Sequence, residues 1–227
     1  MHKLNVIITG ATGMVGEGVL HQCLHHPEVE KVLVISRNPC GYSHPKLTEI
    51  VHGDLSDIAA FSERLKGYNA CYFCLGVTSL GKKEAEYTLL TYTLTVNFAT
   101  TLATLNPEMT FCYISGAGTD SSEKGGVMWA RVKGKTENDL MKLPFKQVFN
   151  FRPAAIIPFL PLRPNQTFYK TFKFVGWLFP IMKVITPNYI VTLKDLATAM
   201  INASLTEYTK STLEVKDIKL LAKTSAK

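Results

Sequence analysis

Three glycines at three-residue spacing are the sequence feature with the clearest chemical meaning. Gly10, Gly13 and Gly16 directly follow an apolar run at residues 4–9, and a segment with helical periodicity follows them. Glycines leave backbone N–H groups open to a pyrophosphate with no Cβ in the way, and the start of a helix adds partial positive charge. The turn therefore predicts a phosphate-bearing ligand. A tight strand-to-helix turn without a ligand is the alternative.

Two other motifs resemble redox or metal sites, but their contexts favour packing. Cys71 and Cys74 lie in a predicted strand, where residues three apart point to opposite faces, so we interpret them as buried core. His21, His25 and His26 lie at the end of the first predicted helix. Without a third ligand or an acidic partner they are more typical of a solvated helix end. No metal site is predicted.

The elements that would position the glycine turn follow an alternating pattern. Short β-branched runs alternate with helical periodicity as far as Ile157, which predicts an α/β fold with a doubly wound parallel sheet. The predicted strands are 4–9, 31–36, 47–51, 70–75, 110–115 and 147–152. The predicted helices between them are 15–25, 58–66, 83–105 and 129–143.

The last part of the chain, residues 158–227, changes character. Five prolines interrupt it around an aromatic-rich stretch. We expect a single domain with its core at 1–157 and a small C-terminal cap, on the substrate side, at 158–227. Within the cap, Thr192 is expected to begin a helix over residues 193–205.

Composition narrows the function classes. The 227 residues are 46% hydrophobic and 19% charged, which excludes disorder, and the net charge of +7 is scattered, so a polyanionic partner is not required. The best candidate for a membrane span, residues 168–185, is interrupted by lysines and a proline, so no membrane span is predicted. Its aromatic and basic residues are interpreted as an apolar cap with solvated lysines, so nucleic-acid binding is not predicted either. Five cysteines and no signal peptide predict a cytoplasmic location.

The motifs after the strands resemble one family. Thr9-Gly10-Ala11-Thr12-Gly13 resembles the short-chain dehydrogenase/reductase superfamily, especially its atypical NAD(P)-dependent epimerase/dehydratase-like group. The other motifs that fit are Gly53-Asp54-Leu55, Leu75-Gly76-Val77-Thr78, Ser115-Gly116-Ala117-Gly118 and Arg152-Pro153. Together with the Lys133-Gly134-Lys135-Thr136-Glu137 run they are most similar to the branch containing the Tat-interacting-protein-like oxidoreductases. The resemblance implies an NAD(P)-binding Rossmann fold and an oxidoreductase or epimerase-like activity on a small carbonyl or hydroxyl substrate.

The residues after the second strand favour NADP over NAD as the cofactor. Ser36-Arg37-Asn38 carries a guanidinium that can pair with a 2′-phosphate, and no carboxylate stands nearby, although a solvated surface arginine is the alternative. The resemblance implies that Asp54 and Leu55 contact the adenine; for Asp54 a simple turn cap is the alternative. The complete predicted cofactor set is Gly10, Thr12, Gly13, Met14, Val15, Gly16, Ser36, Arg37, Asp54, Leu55, Leu75, Gly76, Val77, Lys133, Pro153, Ala154 and Ile156.

The resemblance also implies that Ser115 and Lys133 are catalytic. In this superfamily the serine orients the substrate oxygen, and a tyrosine four residues before the lysine exchanges the proton, because positions i and i+4 share one helical face. Trp129 stands at the tyrosine position, and an indole N–H only donates. Either a slow enzyme protonates through Ser115, Ser121, Ser122 or water, or the protein is a catalytically weakened nucleotide-binding regulator or redox sensor.

Three further expectations complete the analysis. Asn97 resembles the superfamily's helix asparagine that relays protons, and a helix-surface amide is an equal alternative. Arg152 lies near the predicted cleft, where a structural ion pair is the more usual explanation for an arginine. The expected partner is a small-molecule substrate, with the chain a monomer or, by the superfamily's habit, a homodimer.

Overall fold

The main sheet has seven parallel strands within the described residues, 3–160 and 189–224, of a computed structural model. The strands are β1 (Leu4–Thr9), β2 (Val29–Ser36), β3 (Leu47–Val51), β4 (Ala70–Phe73), β5 (Thr110–Ile114), β6 (Gln147–Arg152) and β9 (Thr212–Glu214). Their spatial order is β3-β2-β1-β4-β5-β6-β9. A separate parallel pair joins β7 (Ala155–Ile157) to β8 (Ile190–Thr192). Strand order reverses between β1 and β4, which opens a crevice at the carboxyl edge of the sheet.

Helices cover both faces of the sheet. They are α1 (Met14–His25), α2 (Glu84–Thr88), α3 (Leu94–Leu105), α4 (Met128–Leu140), α5 (Leu193–Leu205) and α6 (Val215–Lys223). A π-helical turn, Leu89–Thr93, joins α2 to α3, and a 3₁₀ segment, Ala59–Leu65, precedes β4. Among the described residues, no helix combines the length and the apolar character needed to cross a bilayer.

The core consists of two apolar layers, one on each face of the sheet. Alternate residues of a strand point to opposite layers: Val6 and Ile8 pack beneath α1, α5 and α6, whereas Ile7 packs beneath α3 and α4. Both layers contain fully buried strand residues, so the sheet is covered on each face. The predicted doubly wound parallel α/β fold is therefore confirmed.

The predicted elements before Ile157 are all present; strands β1, β3 and β6 have the predicted ends, and the ends of the others differ. Strand β4 ends at Phe73 rather than 75, because the N–H of Leu75 donates to the Thr9 hydroxyl (3.3 Å) and not to a strand carbonyl. The predicted helix at 58–66 is a 3₁₀ segment with a kink at Phe61 (φ −127°, ψ 28°). The predicted helix at 83–105 contains the π turn.

The described part of the predicted cap packs with the sheet. Thr192 begins α5 as predicted, since its hydroxyl accepts from the N–H of Asp195 at 3.0 Å. Helix α5 packs so closely on α1 that a Cβ at Gly18 would lie 2.2 Å from the Leu193 side chain. Strand β9 adds to the sheet beside β6. Residues 161–188, which include the aromatic stretch and the membrane candidate at 168–185, lie outside the described residues.

Candidate functional site

The glycine turn fits closely between β1, α1 and the end of β4. Gly10 has a φ of +70°, and a Cβ there would lie 2.7 Å from the carbonyl oxygen of Cys74. A Cβ at Gly16 would lie 2.2 Å from the Gly10 carbonyl oxygen, so only glycine lets α1 approach the turn this closely. The sequence spacing therefore reflects two real steric requirements at the sheet crevice.

The first amides of α1 are free of side-chain caps. Gly13 is the N-cap residue and its own N–H donates to the Gly10 carbonyl at 2.9 Å. The first intrahelical bond runs from the N–H of Glu17 to the Gly13 carbonyl at 2.8 Å. The N–H groups of Met14, Val15 and Gly16 precede that bond and carry the positive end of the helix dipole. Such a group of amides suits an anion.

The turn after β2 leaves a cation at the same edge of the sheet. Ser36 is buried, and its hydroxyl donates to the Asn38 carbonyl at 2.7 Å. Arg37 is exposed and pairs with no described residue. No carboxylate occupies residues 36–38. The geometry therefore leaves this guanidinium available to a ligand phosphate.

The two predicted adenine contacts already have partners within the protein. The Asp54 carboxylate accepts from the Ser56 N–H (2.8 Å) and hydroxyl (2.6 Å), and these bonds lower the pKa of Asp54. Leu55 is 3% exposed and packs in the layer beneath α3 and α4. In the structure Asp54 therefore caps a turn, which was the alternative given for it.

The remaining predicted cofactor residues surround the carboxyl ends of β4 and β6. Leu75 and Val77 are half-buried, and a Cβ at Gly76 would meet nothing within 4 Å, so this backbone is open on one side. The carbonyl of Pro153 accepts from the Ala117 N–H at 2.9 Å, which joins the loop after β6 to the loop after β5. Ala154 and Ile156, both half-buried, pack against the layer beneath α1.

The two predicted catalytic residues contact each other. Ser115 is buried, and its hydroxyl donates to the Phe151 carbonyl at 3.1 Å. The Lys133 Nζ donates to the main-chain carbonyl of Ser115. Trp129 lies one helical turn before Lys133, and its indole Cη2 lies 3.5 Å from the position of a Cβ at Gly118. The indole therefore covers the loop that follows β5.

Burial changes the protonation of Lys133. Loss of solvent lowers its pKa from 10.5 to about 8, and the Glu137 carboxylate partly opposes that shift. Glu137 is itself bound by Arg152, through an Nε–Oε1 bond of 3.0 Å and a second bond from Nη2 to Oε2. The expected structural ion pair of Arg152 is thus confirmed. Arg152 also donates to the Ser121 hydroxyl at 2.6 Å.

One positioning residue was not singled out from the sequence. A Cβ at Gly134 would lie 1.8 Å from the Asp120 carbonyl oxygen, so α4 rests directly on the loop after β5. A glycine inside a predicted helix was the available signal, because glycine costs about 1 kcal/mol there relative to alanine. Asn97 is exposed on α3. This exposure agrees with the helix-surface alternative.

Of the two cysteines interpreted as buried core, Cys71 is buried and Cys74 is half-buried. Cys71 belongs to the layer beneath α3 and α4 and Cys74 to the opposite layer, and burial raises the pKa of Cys74 to about 12. The rings of His21 and His25 stack with centroids 4.3 Å apart. Within the described ranges, no three ligating side chains are arranged to hold a metal ion.

Three features define a Rossmann-type α/β protein: the parallel strand order, the glycine turn at the strand reversal and the start of α1 without a side-chain cap. The family model described as NAD dependent epimerase/dehydratase family matches residues 6–121, and the chain belongs to this family. The family and the fold predicted from the sequence are both confirmed. NAD dependence is a property of the family as a whole, and the match does not extend to a preference for NADP.

The chain is also similar to curated fungal proteins and to solved structures. Protein fmp52-1, mitochondrial, of Aspergillus oryzae is 30% identical over 67% of this chain and 66% of its own length. Protein FMP52, mitochondrial, of Saccharomyces cerevisiae is 26% identical over 68% of this chain and 66% of its own length. The chain thus spans about two thirds of these relatives. The Bordetella bronchiseptica enzyme WbmH, solved with NAD+, shares the fold, with a TM-score of 0.64 and 20% identity over 89% of this chain and 72% of that one.

The cytoplasmic location expected from the sequence is wrong. Both fungal relatives are named as mitochondrial proteins, which points away from the cytoplasm. The expectation depended on an odd number of cysteines, and the described cysteines are indeed free thiols. Free thiols indicate a reducing environment, and they do not distinguish one reducing compartment from another.

Proposed function

We propose that this chain binds a nicotinamide dinucleotide, with NADP(H) preferred, and is an oxidoreductase or epimerase-like enzyme for a small carbonyl or hydroxyl substrate. The observation that carries the proposal is the group of uncapped amides at Met14, Val15 and Gly16 beside the strand reversal. The contact between Ser115 and Lys133 lies at the carboxyl edge of the same sheet. The anion site and the polar pair therefore open on one edge, as a dinucleotide and its substrate require.

The residues present fit such a cofactor. The glycine turn would hold the diphosphate, the open backbone at Gly76 would leave room beneath the ribose and nicotinamide, and Lys133 would donate to the ribose hydroxyls. When bound, the nicotinamide supplies or accepts a hydride. The chain itself would position the substrate oxygen beside Ser115 and exclude water with the half-buried indole of Trp129.

The preference for NADP(H) is supported by the turn after β2. Arg37 is exposed, pairs with no described residue and has no carboxylate beside it, so a 2′-phosphate would gain a charge-assisted hydrogen bond there. A carboxylate in that place would instead favour the free 2′-hydroxyl of NAD.

Thermal unfolding with NADPH, with NADH and without nucleotide tests this function. We expect both nucleotides to raise the melting temperature, NADPH more, because a ligand that binds only the folded state stabilises it. Arg37→Ser should weaken NADPH binding by about tenfold, equivalent to ~1.4 kcal/mol, and leave NADH binding unchanged. Arg64→Ser, at another exposed arginine, is the matched control. Equal melting in all three conditions would contradict the proposal.

A second function, a nucleotide-binding regulator or redox sensor, is favoured by one observation. The indole of Trp129 can donate a hydrogen bond but does not act as an acid or a base near neutral pH, and it stands where the superfamily has its acid and base. The regulator would bind NADPH as above yet reduce no member of a broad aldehyde and ketone panel. Turnover of any panel member, lost in Ser115→Ala, would favour the enzyme.

We also propose a mitochondrial location, because the relatives that cover most of the chain are named as mitochondrial proteins. Microscopy of the natural protein with a C-terminal fluorescent tag would test this location. The oligomeric state, monomer or homodimer, stays a prediction that sedimentation would check.

A further inference from the structure

The missing tyrosine leaves the site in need of another proton donor, and the nearby hydroxyls are already engaged. The Ser115 hydroxyl donates to a backbone carbonyl of β6 at 3.1 Å. The Ser122 hydroxyl donates to the Asp120 carboxylate at 2.6 Å. The Ser121 hydroxyl is tied to the Arg152 guanidinium at 2.6 Å. Ser115 and Ser122 therefore donate their protons within the protein, whereas Ser121 accepts from Arg152 and keeps its own proton.

Lys133 is placed differently. Its ammonium group has three donors, and the structure uses one of them, on the Ser115 carbonyl. That carbonyl marks the end of β5, where the superfamily's serine would orient the substrate oxygen. Trp129 lies one helical turn earlier on the same face of α4, so the lysine is the proton-bearing side chain of that i, i+4 pair.

Resting on the proposed function, we propose that the Lys133 ammonium is the proton donor of carbonyl reduction in this chain. The Lys133 N–H bond breaks and an O–H bond forms on the substrate oxygen, which leaves a neutral amine. The electron pair that reduces the carbonyl carbon comes as hydride from the reduced nicotinamide, and the C=O π electrons move to the oxygen. In alcohol oxidation the neutral amine takes the proton back.

The surrounding charges leave the ammonium poorly compensated. Glu137, on α4 itself, is the charge that acts on the ammonium, and the titratable groups around α4 also include Arg152, Tyr113, Tyr87 and Asp120. Arg152 from β6 engages both oxygens of Glu137, and Asp120 accepts from groups of its own loop. Burial raises the pKa of Tyr113 from β5 and of Tyr87 from α2, so both stay neutral.

This environment suits an acid near neutral pH. Burial lowers the pKa of Lys133 to about 8, close to the range in which a general acid is most effective. An ordinary lysine, with a pKa of about 10.4, would release its proton too reluctantly to serve as well.

The kinetic test uses NADPH with 4-nitrobenzaldehyde as probe. Reduction should slow tenfold per pH unit above about pH 8, where Lys133 loses its proton, and oxidation of 4-nitrobenzyl alcohol with NADP+ should rise up to that pH and then level. Lys133→Arg keeps the charge and can still donate hydrogen bonds, but a guanidinium does not release its proton in proteins, so this variant should lose about 10²–10⁴ in rate together with the pH dependence. Lys135→Arg, on the exposed face of α4, is the control.

Titration of the lysine gives a readout independent of turnover. In protein labelled with 13C at lysine Cε, the resonance that disappears in Lys133→Arg should titrate near pH 8. A midpoint at or above about 10, or a Lys133→Arg enzyme that keeps the wild-type rate and pH profile, would overturn the inference and leave the proposed function standing. If Lys133→Arg fails to fold, Lys133→Gln replaces it both in the rate measurement and in identifying the Lys133 resonance. Absence of NADPH binding would overturn the proposed function and this inference together.

Discussion

Trp129 occupies the position where the superfamily has its catalytic tyrosine. Its indole covers Gly118, in the loop after β5. We predict that Trp129→Tyr raises carbonyl reduction by about 10²-fold or more, because it adds a positioned acid beside Lys133. Trp129→Phe, which has the ring without the hydroxyl, is the control. If neither variant reduces any member of the aldehyde and ketone panel, the regulator becomes the better account.

The buried charge of Lys133 should also appear in the stability of the protein. Its pKa falls from 10.5 to about 8 on folding, so between those values the unfolded chain binds more protons than the folded one. Stability therefore rises with pH across this window, and below it the full cost of burying the ammonium is present. We predict that the free energy of unfolding in urea, measured for wild type relative to Lys133→Met, increases from neutral pH to about pH 10. A difference that is constant with pH would contradict the burial of this charge.

At the scale of elements, the glycine turn fixes how α1 meets the sheet. A Cβ at Gly16 would lie 2.2 Å from the Gly10 carbonyl oxygen, whereas one at Gly53 would meet nothing within 4 Å. We predict that Gly16→Ala destabilises the protein by about 1–3 kcal/mol through overpacking and abolishes NADPH binding. Gly53→Ala should leave both nearly unchanged. Chemical denaturation would measure the change in stability, and calorimetry would measure NADPH binding. A Gly16→Ala protein with normal NADPH affinity would show that the turn does not bind the nucleotide.

The ion pair between α4 and β6 is the second structural device near the site. Glu137 is 2% exposed, and Arg152 supplies two bonds to it. We predict that Arg152→Met costs about 3–5 kcal/mol, because it leaves a buried carboxylate without its partner. Adding Glu137→Met to that variant should recover most of the loss in urea unfolding. If the double variant is no more stable than Arg152→Met, the lost stability comes from side-chain packing and not from the unpaired carboxylate.

The sequence predicts these elements well wherever a local pattern is strong. Strands β1, β3 and β6 begin and end where their apolar runs do. The three-residue strands β7, β8 and β9 were not predicted, since such short runs have no periodicity of their own. Helix α6 was also missed, although the reciprocal capping of Glu214 and Asp217 and the apolar spacing of Val215, Ile218 and Leu221 could have indicated it.

The candidate site was less accessible to sequence analysis than the fold. The steric reasons for Gly10 and Gly16 followed from spacing, and the contact of Ser115 with Lys133 agrees with the residues that the resemblance selected. The burial of Leu55, the turn cap of Asp54 and the close approach of Gly134 to the Asp120 loop depend on tertiary packing. Such contacts join segments distant in the chain, so no local pattern records them.

For the molecule as a whole, the described C-terminal residues contribute to the same core as the sheet. Helices α5 and α6 pack in the layer beneath α1, and β9 extends the sheet. The single domain with a cap at 158–227 remains a proposal, to which the packing of α5 on α1 gives support. The site thus stands at the carboxyl edge of a sheet that the described end of the chain helps to complete.

The central claim is that the amides of residues 14–16 hold the diphosphate of a dinucleotide, and NMR tests it most directly. In 15N-labelled protein, NADPH should shift the backbone amide resonances of those residues, because the phosphate oxygens accept their hydrogen bonds. The amides at the opposite end of α1 should move little. Saturating NADPH that leaves the amides of 14–16 unmoved, or shifts only resonances remote from the sheet crevice, would contradict the account.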